Sequence, residues 1–312
     1  MDAAAPQATP GPSACPLCAG RDGDMIGASA NGALLRCAGC TLAYYPALVS
    51  QARPLRQGVA AQVVPPVEPY YGDDEAYEGY RCRKEPEWED LFRRLRRYVR
   101  GGRLLDVGCA RGYSTAVARR LGFDAYGVEP SAADACYARE RLGLDVRVGT
   151  VEQAGFAAGF FDAVVMWSVL EHLTAPVATM AEVARVLRPG GVLNIFTPNG
   201  ESRAAREQGM QWAQYKRPGH VAFFSPATVR RLLREHGLEP LEVYTTLGGV
   251  EQGNRSVKVR CSPARLLCSA VMRPSLAPMR RKIRQMIAAL APRAAGAGEY
   301  MGVYARKGAR ER

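Results

Sequence analysis

Four cysteines, Cys15, Cys18, Cys37 and Cys40, stand as two CxxC pairs with eighteen residues between them. Each pair forms a tight knuckle presenting two sulfurs, and two knuckles complete a tetrahedral zinc site of the ribbon kind. All four positions are cysteine, so no coordination position stays open and the metal is expected to be structural. A second constellation is "RLLDVGCARGYST" (103–115), where an apolar run ends in Asp106 and then Gly108 and Gly112. Glycines after a buried strand let the backbone turn sharply and let a ligand approach the next helix. Glu129 closes the following apolar run, "AYGVEP", and suits a two-point hold on ribose hydroxyls. By itself the glycine turn does not separate a dinucleotide site from other nucleoside sites. Asp106, however, sits where a dinucleotide fingerprint keeps an apolar residue, and its charge would repel a pyrophosphate while tolerating a cationic ligand.

Elements that position these groups follow from the alternation of patterns. "EPEWEDLFRRLRRYVR" (85–100) has helical apolar spacing. After it, "RLLDVG" reads as a strand, "YSTAVARRLG" as a helix, "DAYGVEP" as a strand, "AADACYARERLG" as a helix, and "DVRVGT" and "FDAVVMWS" as strands. "APVATMAEVARVLRPGG" reads as a helix closed by glycine, followed by the strand "VLNIFTPN", a Ser-capped helix, another strand, and a closing strand in "GEYMGVYARK". Strands alternating with helices over short connections predict an α/β fold with a doubly wound, mostly parallel sheet. The expected organisation is a disordered Ala/Pro-rich start (1–12), a zinc ribbon (13–50), a Pro/Gly linker (51–69), a core (70–252), a basic amphipathic helical segment (253–297) and a closing strand and tail (298–312).

With 312 residues, 47% of them hydrophobic, the chain can bury a full core. No apolar run is long enough to span a bilayer, and the first residues lack a signal-peptide pattern. A cytoplasmic, reducing location is therefore expected, with the nine cysteines as thiols or ligands. The net charge of +12 resides in the tail: from Gly253 onward there are fourteen Lys/Arg against two Glu, leaving 28 of each sign elsewhere. A neutral core argues against a nucleic-acid partner. The basic face of "APMRRKIRQMIAALAP" suits peripheral contact with an anionic membrane or a polyphosphate, or packing on its own domain.

"LLDVGCARG", "GVEPS", "VGTVEQAGFAAGFFDAVVMWSVLEHL" and "LRPGGVLNIFTPN", in this order and spacing, resemble the class I S-adenosylmethionine-dependent methyltransferases over roughly residues 70–250 plus the last strand. The resemblance implies a Rossmann-like, seven-stranded sheet with an antiparallel last strand and the cofactor over the first two strand tips. It places Asp106, Gly108 and Gly112 along the methionine side and Glu129 on the ribose. Thr150, Val151 and Glu152 approach the adenine, while Trp167 and Ser168 sit beside the transferring methyl. Cys109, within the turn, is counted with the cofactor-binding residues, though its side chain reads as a small packing group. Ala110 stands where the family usually keeps glycine.

Glu171 and His172 follow the fourth strand, where related sugar enzymes keep a Glu-His pair, and His220 opens the segment that roofs the substrate pocket. These three are the expected catalytic residues. His172 near its ordinary pKa of about 6.5 would act as base and give a rate rising through neutral pH. His236 reads as structural, and Trp212 and Tyr215 as pocket wall or packing. Tyr70, Tyr71 and Tyr77 belong to a segment expected to fold over the cofactor. The zinc ribbon resembles that of nucleotide-sugar C-methyltransferases, so the expected acceptor is a small molecule, a sugar or glycan precursor. The other readings are an RNA methyltransferase and a non-catalytic scaffold keeping a cofactor fold. Sequence leaves the oligomeric state open.

Overall fold

A computed structural model describes residues 14–50, 74–246 and 298–308. The expected disordered start, the linker and the basic amphipathic segment lie outside these residues, as do Tyr70 and Tyr71. In chain order the strands and helices are β1 (Gly23–Ser29), β2 (Gly32–Cys37), β3 (Ala43–Tyr44), α1 (Pro46–Ser50), α2 (Asp74–Leu95), β4 (Gly102–Val107), α3 (Tyr113–Arg120), β5 (Phe123–Glu129), α4 (Ala132–Leu142), β6 (Asp145–Val148) and β7 (Phe161–Trp167). Then come α5 (Pro176–Val186), β8 (Leu187–Pro198), α6 (Arg203–Gln208), α7 (Ala213–Lys216), β9 (Ala222–Phe223), α8 (Pro226–Glu235), β10 (Leu238–Thr246) and β11 (Tyr300–Lys307).

Seven strands form one sheet in the order β10-β11-β8-β7-β4-β5-β6. All neighbours from β8 to β6 are parallel, and β11 runs antiparallel to both β8 and β10. Successive side chains of a strand point to opposite faces, so adjacent residues feed separate cores. Leu105, Val164 and Met166 join Met180 and Val183 of α5 and Leu232 of α8. Leu104, Ala163 and Val165 join Phe92 and Leu95 of α2 and Val117 of α3 on the other face. This is the doubly wound arrangement that the alternation predicts.

Two boundaries differ from the sequence reading. Helix α2 begins at Asp74, eleven residues before the predicted start, and continues through Pro86. Ion pairs from Arg81 to Glu78 and Glu85 and from Lys84 to Glu87 brace the turns around that proline. Helix α5 ends at Val186 instead of the predicted Gly191, because Arg188 precedes a proline and is biased towards extended backbone. Leu187 therefore pairs with Phe161, and after an irregularity Val192 pairs with Ala163.

The cysteine ribbon is not a free-standing module. Strands β1, β2 and β3 form an antiparallel sheet whose fourth strand is β9, from the far side of the core. Cys15, Cys37 and Cys40 share one buried cluster with Phe224, Val229 and Leu232.

Candidate functional site

A cleft opens at the C-terminal ends of the parallel strands, bordered by Val107 and Gly108 after β4, Val128 and Pro130 at β5, Gly149 to Glu152 after β6, and Val169 and Leu173 after β7. Strand carboxyl ends are where open α/β sheets bind ligands. Gly108 turns with φ +69°, and a Cβ there would lie 2.7 Å from Val169 Cγ2. Gly112 has φ +80° and leaves only 2.6 Å between an added Cβ and Leu144 Cδ1. Between them Ala110 also takes a left-handed conformation, φ +48°. Its N–H donates to Glu129 Oε2 at 2.8 Å, while the Ser131 N–H donates to Glu129 Oε1, also at 2.8 Å. Glu129 thus ties the glycine loop to the tip of β5. Burial raises its carboxyl above the usual range, opposed by these two N–H bonds. Each oxygen keeps a further lone pair for a ligand hydroxyl.

Asp106 is buried behind this loop. Its Oδ2 accepts from the Ser114 hydroxyl and, at 2.8 Å, from the Thr115 hydroxyl, fixing the first turn of α3. Burial pushes its carboxyl up to about 6. Cys109 packs its side chain among Ala135, Ala138 and Val146. A Cβ on Gly127 would stand 2.6 Å from Cys109 Sγ, so that glycine makes room for the thiol. Tyr77 lies over the loop, accepting from the Arg111 N–H at 3.3 Å with the Arg111 guanidinium 4.3 Å from its ring centre.

On the cleft's far wall, Val151 is fully buried. Glu152 Oε1 accepts from the Thr179 hydroxyl at 2.6 Å, whereas Glu152 Oε2 and Thr150 Oγ1 are buried without a hydrogen-bond partner among the described residues. Such atoms cost about 1–3 kcal/mol each until something pairs with them. Trp167 stacks on Phe196 at 4.2 Å, and Phe196 on Tyr300 at 5.4 Å. Ser168 leaves β7 with φ +54°, a strained conformation of the sort that concentrates at functional sites.

Glu171 and His172 lie on the 3₁₀ turn Leu170–His172. The loop before β9 folds onto that turn: the Val221 N–H donates to Glu171 O at 2.7 Å, and His172 Nδ1 pairs with Gly219 O at 2.9 Å. His220, forty-eight residues from His172 in sequence, is thereby placed edge-on to it, with ring centres 4.8 Å apart and planes at 90°. Ligand atoms of Glu171, His172 and His220 all lie within 4.8 Å of one another. The Thr197 hydroxyl donates to Glu171 Oε2 at 2.8 Å, and His220 Nδ1 is buried without a hydrogen-bond partner among the described residues. Burial pushes the Glu171 carboxyl up to about 7 and His172 down to about 4, against the expectation of a histidine titrating near its ordinary value.

Sequence reasoning missed what holds His220 there. Tyr45, at the ribbon's exit, donates its N–H to Val221 O at 2.9 Å and its hydroxyl to Tyr215 O at 2.7 Å. Asn31 Nδ2 donates to Arg217 O at 3.0 Å. Their only sequence signal was a position next to the knuckle. Trp212 and Tyr215 are buried packing residues under this loop, not open pocket wall. His236 Nδ1 pairs with Leu232 O at 2.7 Å at the end of α8, a structural place.

The four knuckle sulfurs also lie within 4.8 Å of one another, with Cys15 Sγ 3.5 Å from Cys40 Sγ and Cys18 Sγ 3.4 Å from Cys37 Sγ. Left-handed Ala19 and Thr41 (φ +58° and +65°) close the two turns. All four cysteines are free thiols. The donor set fits a tetrahedral metal, whose Zn–S bonds of about 2.3 Å put sulfurs roughly 3.8 Å apart.

Residues 80–243 match a family described as a methyltransferase domain. The ubiquinone biosynthesis O-methyltransferase of Cereibacter sphaeroides is 31% identical over 153 residues, 46% of this chain and 62% of that protein. A probable S-adenosylmethionine-dependent methyltransferase of Mycolicibacterium smegmatis is 30% identical over 174 residues, 55% of this chain and 63% of that protein. This chain therefore spans somewhat under two thirds of the length of these relatives. The crystal structure of a SAM-dependent methyltransferase from Thermotoga maritima shares the fold, with a TM-score of 0.51 at 20% identity, covering 75% of this chain and 95% of that one.

Proposed function

The chain belongs to the methyltransferase-domain family, and we propose that it transfers a methyl group from S-adenosylmethionine to a hydroxyl-bearing small molecule. The observation that carries this reading is the cleft, where two buried polar atoms, Thr150 Oγ1 and Glu152 Oε2, have no partner. Against them an adenine fits, since Glu152 can accept from its amino group and Thr150 can bond a ring nitrogen. Glu129 is assigned to the ribose hydroxyls, and the Gly108–Gly112 loop to the methionine part. Transfer itself is an in-line displacement that depends on positioning acceptor, methyl and sulfur. The Glu171–His172–His220 cluster, whose first two members lie three and four residues beyond Ser168, is assigned to acceptor activation. We assign the four cysteines to a structural zinc.

Calorimetry with S-adenosylmethionine and its demethylated product tests the first half of the proposal. Binding of both, with no competition from NAD, is expected, and absence of binding would overturn it. The acceptor is tested by incubating the protein with methyl-labelled cofactor, fractionated cell extract including RNA, and two panels: ubiquinone precursors, the chemistry in the relatives' names, and nucleotide sugars, the chemistry suggested by the ribbon. Label confined to RNA would replace the small-molecule reading. Binding without transfer to any extract fraction would favour the scaffold reading.

A further inference from the structure

We infer that Glu171, His172 and His220 bind a divalent first-row transition-metal ion, a second metal centre beside the cysteine one. Two imidazoles and one carboxylate are a borderline N₂O donor set that suits Zn²⁺, Mn²⁺, Fe²⁺ or Co²⁺. The three donor groups already converge to within 4.8 Å. In a filled site with bonds of about 2.0–2.2 Å the donors would stand roughly 3.3–3.6 Å apart, so closing onto an ion takes a shift of about 1 Å.

The surroundings are those of ligands held from behind. A ligating histidine usually donates its other ring N–H to a carbonyl or carboxylate, and ligating carboxylates are themselves hydrogen-bonded. His172 does the first through Nδ1 and Gly219 O at 2.9 Å. Thr197 does the second for Glu171 at 2.8 Å. Glu171 and His220 are each 1% exposed, and His220 Nδ1 has no hydrogen-bond partner. A buried nitrogen with no partner among the described residues, on a ring beside a second imidazole and a carboxylate, is costly unless a cation or proton pairs with it. Arg217 is the opposing influence, a nearby cation whose field acts on all three groups.

Three protein ligands leave coordination positions open, unlike the closed cysteine site. Resting on the methyl-transfer reading, the ion's role is to bind the acceptor hydroxyl through oxygen and release its proton to water. That oxygen then bonds to the sulfonium methyl as the methyl–sulfur bond breaks. The products are a methyl ether and S-adenosylhomocysteine, with the metal unchanged.

The test uses the full chain with zinc loaded at the cysteines, titrated with Mn²⁺ while free Mn²⁺ is followed by electron paramagnetic resonance. One bound Mn²⁺ is expected. Glu171→Gln and His220→Ala should weaken it at least about 100-fold, and Thr197→Val, which removes the hydrogen bond behind Glu171 but no ligand, about 10- to 100-fold. Arg217→Ala should tighten it. Melting temperature and cofactor calorimetry on each variant separate lost ligands from lost fold. No Mn²⁺ or Co²⁺ beyond the cysteine site in wild type, or wild-type affinity in folded Glu171→Gln, would overturn the inference. Cofactor binding without metal binding would leave the methyl-transfer reading standing alone, and metal binding without cofactor binding would leave only the metal site.

Discussion

The cysteine knuckle and the Glu171–His172–His220 cluster both gather donor atoms within 4.8 Å, yet they are assembled on opposite plans. In the knuckle, two short turns at 15–20 and 37–42 each deliver a donor pair, and spacing alone fixes the geometry. In the cluster, one donor comes from a loop forty-eight residues downstream, and hydrogen bonds from Val221 and His172 set it in place. The comparison also shows dependence: β3 pairs with β9, and Tyr45 and Asn31 hold the loop carrying His220. The local site is the foundation of the non-local one.

Removing the foundation should have the largest effect. Cys37→Ser is expected to abolish the zinc equivalent and cost well above about 3 kcal/mol of stability in the ribbon. Because Tyr45 N–H bonds to Val221 O, hydrogen exchange at Tyr45 and across the 212–223 loop should accelerate too. Cofactor affinity should change less than about tenfold, roughly 1.4 kcal/mol, since the cleft is lined by the strand ends. An unaltered loop in this variant would show that ribbon and loop are independent.

Glu129→Ala comes next, weakening cofactor binding by about 2–3 kcal/mol, or about 30- to 150-fold, by calorimetry. The alanine loses both the ribose contact and the anchor of the Ala110 N–H. Glu129→Gln, which keeps the shape and one acceptor oxygen, should lose less. Equal losses would mean that charge, not the loop anchor, carries the effect.

Thr150→Val is expected to move two measurements in opposite directions. Removing a buried hydroxyl without a partner should stabilise the ligand-free chain by about 1 kcal/mol in denaturant titration. The same change should weaken cofactor binding by about 1 kcal/mol, some fivefold, if the hydroxyl is reserved for the ligand. Smallest is Ala110→Gly, which relieves a left-handed alanine and should stabilise the fold by about 0.5–1 kcal/mol after the entropy of glycine is counted. Destabilisation would mean that the alanine methyl packs favourably.

The parallel sheet and its strand-end cleft were legible because buried strands, glycine turns and helix patterns are local signals. The role of Asp106 was not: nothing in "LLDVG" says that its carboxylate faces Ser114 and Thr115 rather than a ligand. Nor was it read from "LRPGG" that the proline ends the helix early enough for Leu187 to pair with Phe161. The convergence of His220 on His172 was legible only through the family resemblance, since no short-range pattern encodes a contact across forty-eight residues. The tie between ribbon and loop was invisible, because a two-residue strand such as β9 has no periodicity to detect.

Strand β11 has a consequence for how the chain is born. It lies between β8 and β10, bonded to both, although β10 precedes it by more than fifty residues. On the ribosome, β4 to β8 can pair as they emerge, but β10 lacks its native neighbour until residues 300–307 arrive. Until then β8 carries an unpaired flank of apolar residues, the kind of edge that recruits other chains. Completion of the sheet by its last two strands thus waits on residues 300–307. Nascent chains stalled before residue 300 should show protease cleavage in 238–246 while 102–167 resists. Protection of both regions at that length would mean that β10 finds another partner first.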